Sequence, residues 1–237
     1  MMPKSEGFKN WVARTDEEDR DWKKFYTSNR GTLVHYGCLN PFSKEELWSE
    51  DEQQSRDELK GNRTSNRTGM TGGADVWADY KQDRDWCIDT WEFIRDIWGI
   101  YDENDPEDIS VIDVEVFSAN RDVGFAGQFD LLYHDREADE TVLADLKTSK
   151  YIYEKHKLQL AAYAHAIPMV VDRAEVIRMN PEKADWSVSC SNDWDRSLDE
   201  LYEEFTGYRD ELSEEHEEEM LEAIEAQVAS GAAVTES

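Results

Sequence analysis

The sequence predicts an α/β fold in which helices flank a central sheet, and a change of hydrophobic period along the chain predicts it. Up to about residue 98 the apolar residues recur at helical spacing. From 111 onward three segments alternate apolar and polar, and a helix and a further strand follow them. The third observation is aromatic content: 9 Trp, 10 Tyr and 8 Phe in 237 residues supply a core, although only 39% of the chain is hydrophobic and the mean hydropathy is -0.82. That length fits one embellished domain or two small ones.

Residues 16–28 read as a short amphipathic helix with Trp22, Phe25 and Tyr26 near one face. After Asn29, RGTLVHYGCLNPF begins a second short helical or turn segment that Pro41 interrupts. Residues 43–60 are polar and helix-permissive, and 61–74 (GNRTSNRTGMTGGA) read as a flexible loop. From 75 to 98, Trp77, Tyr80, Cys87, Trp91, Ile94 and Trp98 recur at spacings of three, four or seven, which predicts a long helix buried against a sheet. An acidic link over 101–108 precedes VIDVEVFS (111–118), where alternation puts Ile112, Val114 and Val116 on one face and Asp113, Glu115 and Phe117 on the other. QFDLLYH (128–134) and TVLADLK (141–147) alternate as well, joined by DREADE as a hairpin. A helix over 155–166, a strand RAEVIRM (173–179) and an acidic helix over 197–226 complete the chain. That last helix carries Leu198, Leu201, Phe205, Tyr208 and Leu212 on its buried side. The organisation is therefore a mainly helical region 1–110, a core 111–226 and a frayed tail 227–237, expected to form one integrated domain without internal repeats.

Charge bounds the function. With 55 acidic against 26 basic side chains the net charge is -29. That field repels polyanions in dilute buffer, whereas at molar salt a Debye length of about 3 Å screens it. The acids are dispersed along nearly the whole chain, which favours the high-salt reading. No stretch approaches the roughly 18 apolar residues of a membrane span, and there is no hydrophobic leader, so a cytoplasmic location without membrane association is expected. Cys38, Cys87 and Cys190 are too few and too far apart for a zinc knuckle, a disulfide framework or a four-cysteine iron–sulfur site.

The chemistry-bearing residues sit on the strands. Asp130 lies on the second, and Asp145 and Lys147, two residues apart, share one face of the third. Neighbouring strands stand about 5 Å apart, a distance two carboxylates bridge through a divalent cation. A lysine on the same face can orient or help deprotonate a nucleophile, or stabilise a pentavalent phosphate. A D-x-K triplet alone is more simply a strand-end salt bridge.

The triplet stands in a longer pattern. GFAGQFDLLYHDREADETVLADLKTSK followed by HKLQLAAYAHA resembles the core of the PD-(D/E)XK nuclease superfamily, in particular its RecB-like branch. Gly127 to Asp130 matches a G-x-x-D strand, Asp145 to Lys147 the (D/E)-x-K strand, Gln159 and Tyr163 a Q-x-x-x-Y pair, and GTLVH, ending in His35, an upstream G-x-x-x-H. The resemblance implies a restriction-endonuclease-like core with a central mixed β-sheet flanked by helices. It makes His35, Asp130 and Asp145 ligands of Mg2+ or Mn2+, with the Leu146 carbonyl completing the set. It makes Lys147 the catalytic lysine, and Gln159 and Tyr163 substrate-contacting or supporting residues. Glu115 takes the place of an auxiliary acidic or structural site residue. Lacking the four cysteines, the chain resembles cluster-free members. The implied activity is a metal-dependent DNA nuclease, most simply an exonuclease, of replication, recombination or repair, with any helicase or recombination partner on another polypeptide. The dispersed acid points to a haloarchaeon or its virus.

Local charge agrees with a DNA substrate. Lys147, Lys150, Lys155 and Lys157 face only Glu154 in their window, and Arg63 and Arg67 make the 61–74 loop locally basic. The plainer reading of both is a solvated loop and helix start. Two other functions compete: a non-catalytic acidic interaction or DNA-mimic module, motivated by the 197–226 helix, and a phosphohydrolase of small substrates, which leaves the lysine window and Gln159 and Tyr163 unexplained.

Overall fold

The computed structural model describes residues 6–15, 17–43, 76–98, 109–120 and 123–211. The chain runs α1 (Glu6–Arg14), α2 (Glu17–Leu39), a 3-10 turn at Asn40–Phe42 and α3 (Val76–Trp98). It continues through β1 (Ile109–Asn120), β2 (Phe125–Asp135), β3 (Glu140–Lys147), α4 (Glu154–Ala164), β4 (Arg173–Asn180) and β5 (Asp185–Cys190). A last helix, α5, covers 198–211 of the described residues. The five strands form one mixed sheet in sequence order, antiparallel throughout except where β3 and β4 run parallel with α4 as their crossover. This is the α/β arrangement of a restriction-endonuclease-like core.

Each face of the sheet has its own core. On one, Val34, Cys38 and Leu39 of α2 and Cys87, Trp91 and Ile94 of α3 meet Leu131, Tyr133, Val142, Ala144, Leu146 and Ile177. On the other, Leu160 and Tyr163 of α4 cover Phe129, Leu132, Leu143, Ala174 and Val176, and Leu201 of α5 packs beneath α4. β3 lies at the sheet centre, so Val142 to Leu146 are all buried, which explains a strand almost continuously apolar around one aspartate. Each large aliphatic side chain buried this way contributes about 1.5–3 kcal/mol. α5 begins with a capping box: the Ser197 hydroxyl accepts the Glu200 N–H at 3.2 Å while Glu200 accepts the Ser197 N–H at 2.9 Å.

Two sequence expectations change. α2 is one continuous helix of 23 residues, not a short helix followed by a second segment after Asn29. An internal glycine costs a helix about 1 kcal/mol, and tertiary contacts offset it. Leu33, Val34, Cys38 and Leu39 are buried, and the buried Arg30 guanidinium donates to Asp83 of α3, Glu182 after β4 and the Thr148 carbonyl after β3. Gly37 lets α3 come close, since a Cβ there would stand 2.7 Å from Ile88 Cδ1. Pro41 falls in the 3-10 turn where the helix stops, as expected.

β1 also departs from simple alternation. Its register shifts between Val111 and Asp113, and Glu115 has a left-handed φ of 52°. Val114 therefore buries on the α2/α3 side, Val116 packs on the α4 side, and Ile112 is exposed instead of sharing one face with them. α1 and β5 were not expected from the sequence. The side chains of Trp22, Phe25, Tyr26, Trp77, Tyr80 and Trp98, the loop 61–74 and everything from Leu212 onward lie outside the described residues.

Candidate active site

The two strand carboxylates come together where β2 and β3 part. The strands pair from Asp135↔Glu140 to Leu131↔Ala144. Beyond that pair a side chain makes the link, as Asp130 Oδ2 accepts the Leu146 N–H at 2.7 Å. Asp130 is 6% exposed and Asp145 1%, and carboxylates so buried require hydrogen bonds or cations.

Lys147 supplies one cation. Its Nζ donates to Asp145 Oδ1 at 2.7 Å and lies 2.6 Å from Oδ2, so both oxygens of the buried carboxylate face the one ammonium. Burial and the neighbouring Asp130 push the Asp145 carboxyl up to about 7 against the pull of Lys147. Burial opposes the Lys147 ammonium too, but Asp145 and Asp130 outweigh it and hold the amine above the ordinary lysine range. Lys147 is therefore firmly cationic.

His35 projects from α2 into the same gap. Its Nδ1 stands 3.5 Å from Asp130 Oδ1 and 3.7 Å from Glu115 Oε1. Burial disfavours the imidazolium, yet Asp130 and Glu115 prevail and raise its pKa to about 9. Glu115 arrives through its left-handed backbone, a conformation costing a non-glycine residue about 1–3 kcal/mol. Donor atoms of His35, Glu115 and Asp130 all lie within 4.8 Å of one another. Once His35 gives up its proton, one imidazole and two carboxylates at that spacing fit a hard divalent cation.

Gln159 and Tyr163, one turn apart on α4, act on each other. Gln159 Nε2 donates to the Tyr163 hydroxyl at 2.9 Å. The tyrosine ring occupies the space over Gly127, where a Cβ would fall 2.6 Å from ring and hydroxyl atoms. The glycine of the G-x-x-D strand thus makes room for a protein side chain.

A family model described as the PD-(D/E)XK nuclease superfamily matches residues 10–235. The chain belongs to the PD-(D/E)XK nuclease superfamily. No curated protein matches it. No described helix is long and apolar enough to cross a membrane.

In this superfamily member the site opens into a cleft of about 580 Å³ between α2 and the segment after β3. Thr27, Ser28, Thr32, Thr148 and Ser149 give it hydroxyls, and Arg30, Lys147 and Lys150 give it positive charge. His35 and Leu146 stand on its wall, and Asn180 and Glu182 close one side. Of the remaining lysines, Lys155 is exposed with its ammonium 5.7 Å from the Tyr153 ring. Lys157 turns away, 3.5 Å from Glu154 and 5.4 Å from the Trp194 ring. Arg63 and Arg67 lie outside the described residues.

The three-donor cluster contains Glu115, which the sequence offered only as an auxiliary residue, and does not contain Asp145, which is engaged by Lys147. Arg30 went unnoticed in sequence. Its adjacency to the glycine of G-x-x-x-H, five residues before His35, was the available signal.

Proposed function

We propose that this superfamily member is a Mg2+- or Mn2+-dependent DNA nuclease of the cluster-free RecB-like branch, acting as an exonuclease on phosphodiester bonds. The observation that carries the reading is the convergence of His35, Glu115 and Asp130 within 4.8 Å beside the buried Asp145–Lys147 pair. The family motif alone supplies the (D/E)-x-K residues, whereas this geometry adds a donor set that a cation would complete. His35, Glu115 and Asp130 would hold the ion, with Asp145 and the Leu146 carbonyl on its β3 side. When bound, a divalent cation acidifies water and neutralises charge on a phosphate.

The chain's own residues do the rest. Lys147, held cationic by its two carboxylates, stabilises negative charge on the phosphate oxygens as it grows, which suits a charge stabiliser better than a proton acceptor. Asp130 ties the site strands together through the Leu146 N–H and so fixes the spacing of β2 and β3. Gln159 and Tyr163 position the Gly127 end of β2 from α4. The hydroxyl-lined cleft accepts the sugar–phosphate backbone, with Lys150 at its edge.

The same reading makes the helical region 1–110 and the sheet one integrated domain, because His35 and Arg30 of α2 both serve residues of the sheet and its connections. It places the protein in a salty cytoplasm, with DNA as substrate and any helicase on a separate polypeptide. The decisive assay incubates end-labelled linear and closed circular DNA with Mg2+ or Mn2+ across about 0.1 to 3 M salt, beside Lys147→Ala. Degradation of linear DNA only, abolished in the variant, is the expected result. Cutting of circles would make the enzyme an endonuclease. A folded wild type inert at every salt would leave a non-catalytic interaction module as the better account.

A further inference from the structure

Between β3 and α4 the chain displays two half-exposed aromatic side chains, Tyr151 and Tyr153, the second of which caps α4 and meets the His156 ring edge to face at 5.4 Å. Tyr151 is 55% exposed and Tyr153 44%, while Ile152 between them packs into the core under α4. The segment is pinned at several points. Ser149 Oγ donates to the Tyr151 carbonyl at 2.7 Å, Arg178 Nη1 to the Lys150 carbonyl at 3.4 Å, and the Tyr153 N–H to His156 Nδ1 at 3.3 Å. Ile152 and these hydrogen bonds hold the bend between β3 and α4 while both rings stay exposed.

Each ring has an ammonium over one face, which leaves the other face for a ligand. Lys150 Nζ lies 5.2 Å from the Tyr151 ring centre and Lys155 Nζ 5.7 Å from that of Tyr153. Lys150 also lines the cleft that holds His35 and Lys147, so the tyrosines follow directly in the chain on a residue of the cleft wall. In a chain of net charge -29, two exposed tyrosines each paired with a lysine form a patch whose chemistry suits an anionic backbone carrying flat apolar faces.

We infer that Tyr151 and Tyr153, with Lys150 and Lys155, form a stacking platform for unpaired bases that feeds single-stranded DNA into the cleft. The ring centres stand 6.2 Å apart with planes at 87°, so the two rings receive two splayed bases rather than a continuous stack. Bases inside a duplex already stack on one another and cannot be presented in that way. Lys150 and Lys155 neutralise the phosphates of the splayed nucleotides. The inference rests on the nuclease reading for the identity of the cleft, and deepens it by naming the strand state of the substrate.

The test is fluorescence anisotropy with labelled oligo-dT and a labelled blunt duplex, in chelator so that nothing is cleaved, using wild type, Tyr151→Ala/Tyr153→Ala and Tyr151→Phe/Tyr153→Phe. Wild type should prefer oligo-dT. The alanine pair should lose at least about ten-fold in oligo-dT affinity and less than about three-fold for duplex, while the phenylalanine pair keeps wild-type affinity. Circular dichroism verifies that the variants remain folded. Equal losses on both ligands, no loss on oligo-dT, a wild-type preference for duplex, or phenylalanine variants behaving like alanine ones would each overturn the platform. Cleavage by wild type with Mn2+ is scored in parallel. Tyrosine-dependent binding without cleavage sinks the nuclease reading and leaves the platform, whereas cleavage with tyrosine-independent binding does the reverse.

Discussion

At the scale of residues, the contact between Gly127 and Tyr163 shows how closely the site is fitted. A methyl group on Gly127 meets the tyrosine ring and hydroxyl at 2.6 Å, and that ring is fixed from its other end by Gln159. Gly127→Ala should therefore displace Tyr163 and destabilise the protein by about 1–3 kcal/mol in urea unfolding, with slower cleavage. Tyr163→Phe keeps the ring and removes one hydrogen bond, so its cost should stay near 0.5–1.5 kcal/mol. A Gly127→Ala protein as stable and active as wild type would show that Tyr163 has no fixed place. Lys147→Ala is predicted to lose cleavage altogether, and because it leaves the buried Asp145 without its ammonium partner it should also lower stability, so circular dichroism at the assay temperature establishes that the variant is folded before its inactivity is scored. Asp145 and Lys147 were legible in sequence because a two-residue spacing on a strand dictates a shared face. The convergence of Glu115 with His35 was not. Alternation gives no hint of a left-handed φ, and the three donors come from elements far apart in the chain.

The helix α4 carries a pH dependence that belongs to an element. His156 is 5% exposed and accepts the Tyr153 N–H at the start of the helix, which only a neutral ring can do. Burial, then Lys147 and Lys155, lower its pKa from 6.5 to about 4. Below pH 6.5 the unfolded chain takes up a proton that the native ring refuses. The stability due to the neutral ring is therefore complete above pH 6.5 and falls as the pH drops toward 4, by at most about 3 kcal/mol. Melting temperatures at several pH values should show a shallower acid slope for His156→Asn, whose amide carbonyl can still accept that bond. Parallel slopes would mean His156 titrates normally.

Elements also show why some of the fold could be read directly. β2, β3 and β4 were legible since central burial selects Leu, Val and Ile whatever lies nearby. α2 misled because Asn29, Arg30 and Gly31 look locally like a break, while the compensation is tertiary, through Arg30 to Asp83, Glu182 and Thr148. β5 was missed because DWSVSC is short and serine-rich. Val188 packs against the α2/α3 core and Trp186 meets Phe93 of α3 edge to face, while the backbone of the strand is held by pairing with β4.

For the whole molecule the dominant quantity is the charge of -29. Self-repulsion of that size opposes the compact state in dilute buffer and is screened at molar salt. The melting temperature is predicted to climb between about 0.1 and 2 M KCl. Screening that adds about 3 kcal/mol would lift it by roughly 6–12 °C in a chain of this size. A flat profile would remove the high-salt interpretation and return the acids to the role of repelling polyanions. Salt also weakens phosphate contacts by counterion release, so contacts less sensitive to salt, such as cation coordination and base stacking, have to carry more of the binding.

The central claim is that His35, Glu115 and Asp130 together hold a divalent cation. Calorimetric titration of Mn2+ into the wild type, Glu115→Gln and Asp130→Asn tests it without recourse to any substrate. Asp130→Asn retains an oxygen able to accept the Leu146 N–H, so the strand junction survives while the charge is lost. The account predicts a saturable site in the wild type and a loss of at least about ten-fold in affinity in each variant. Unchanged affinity in both variants would contradict it.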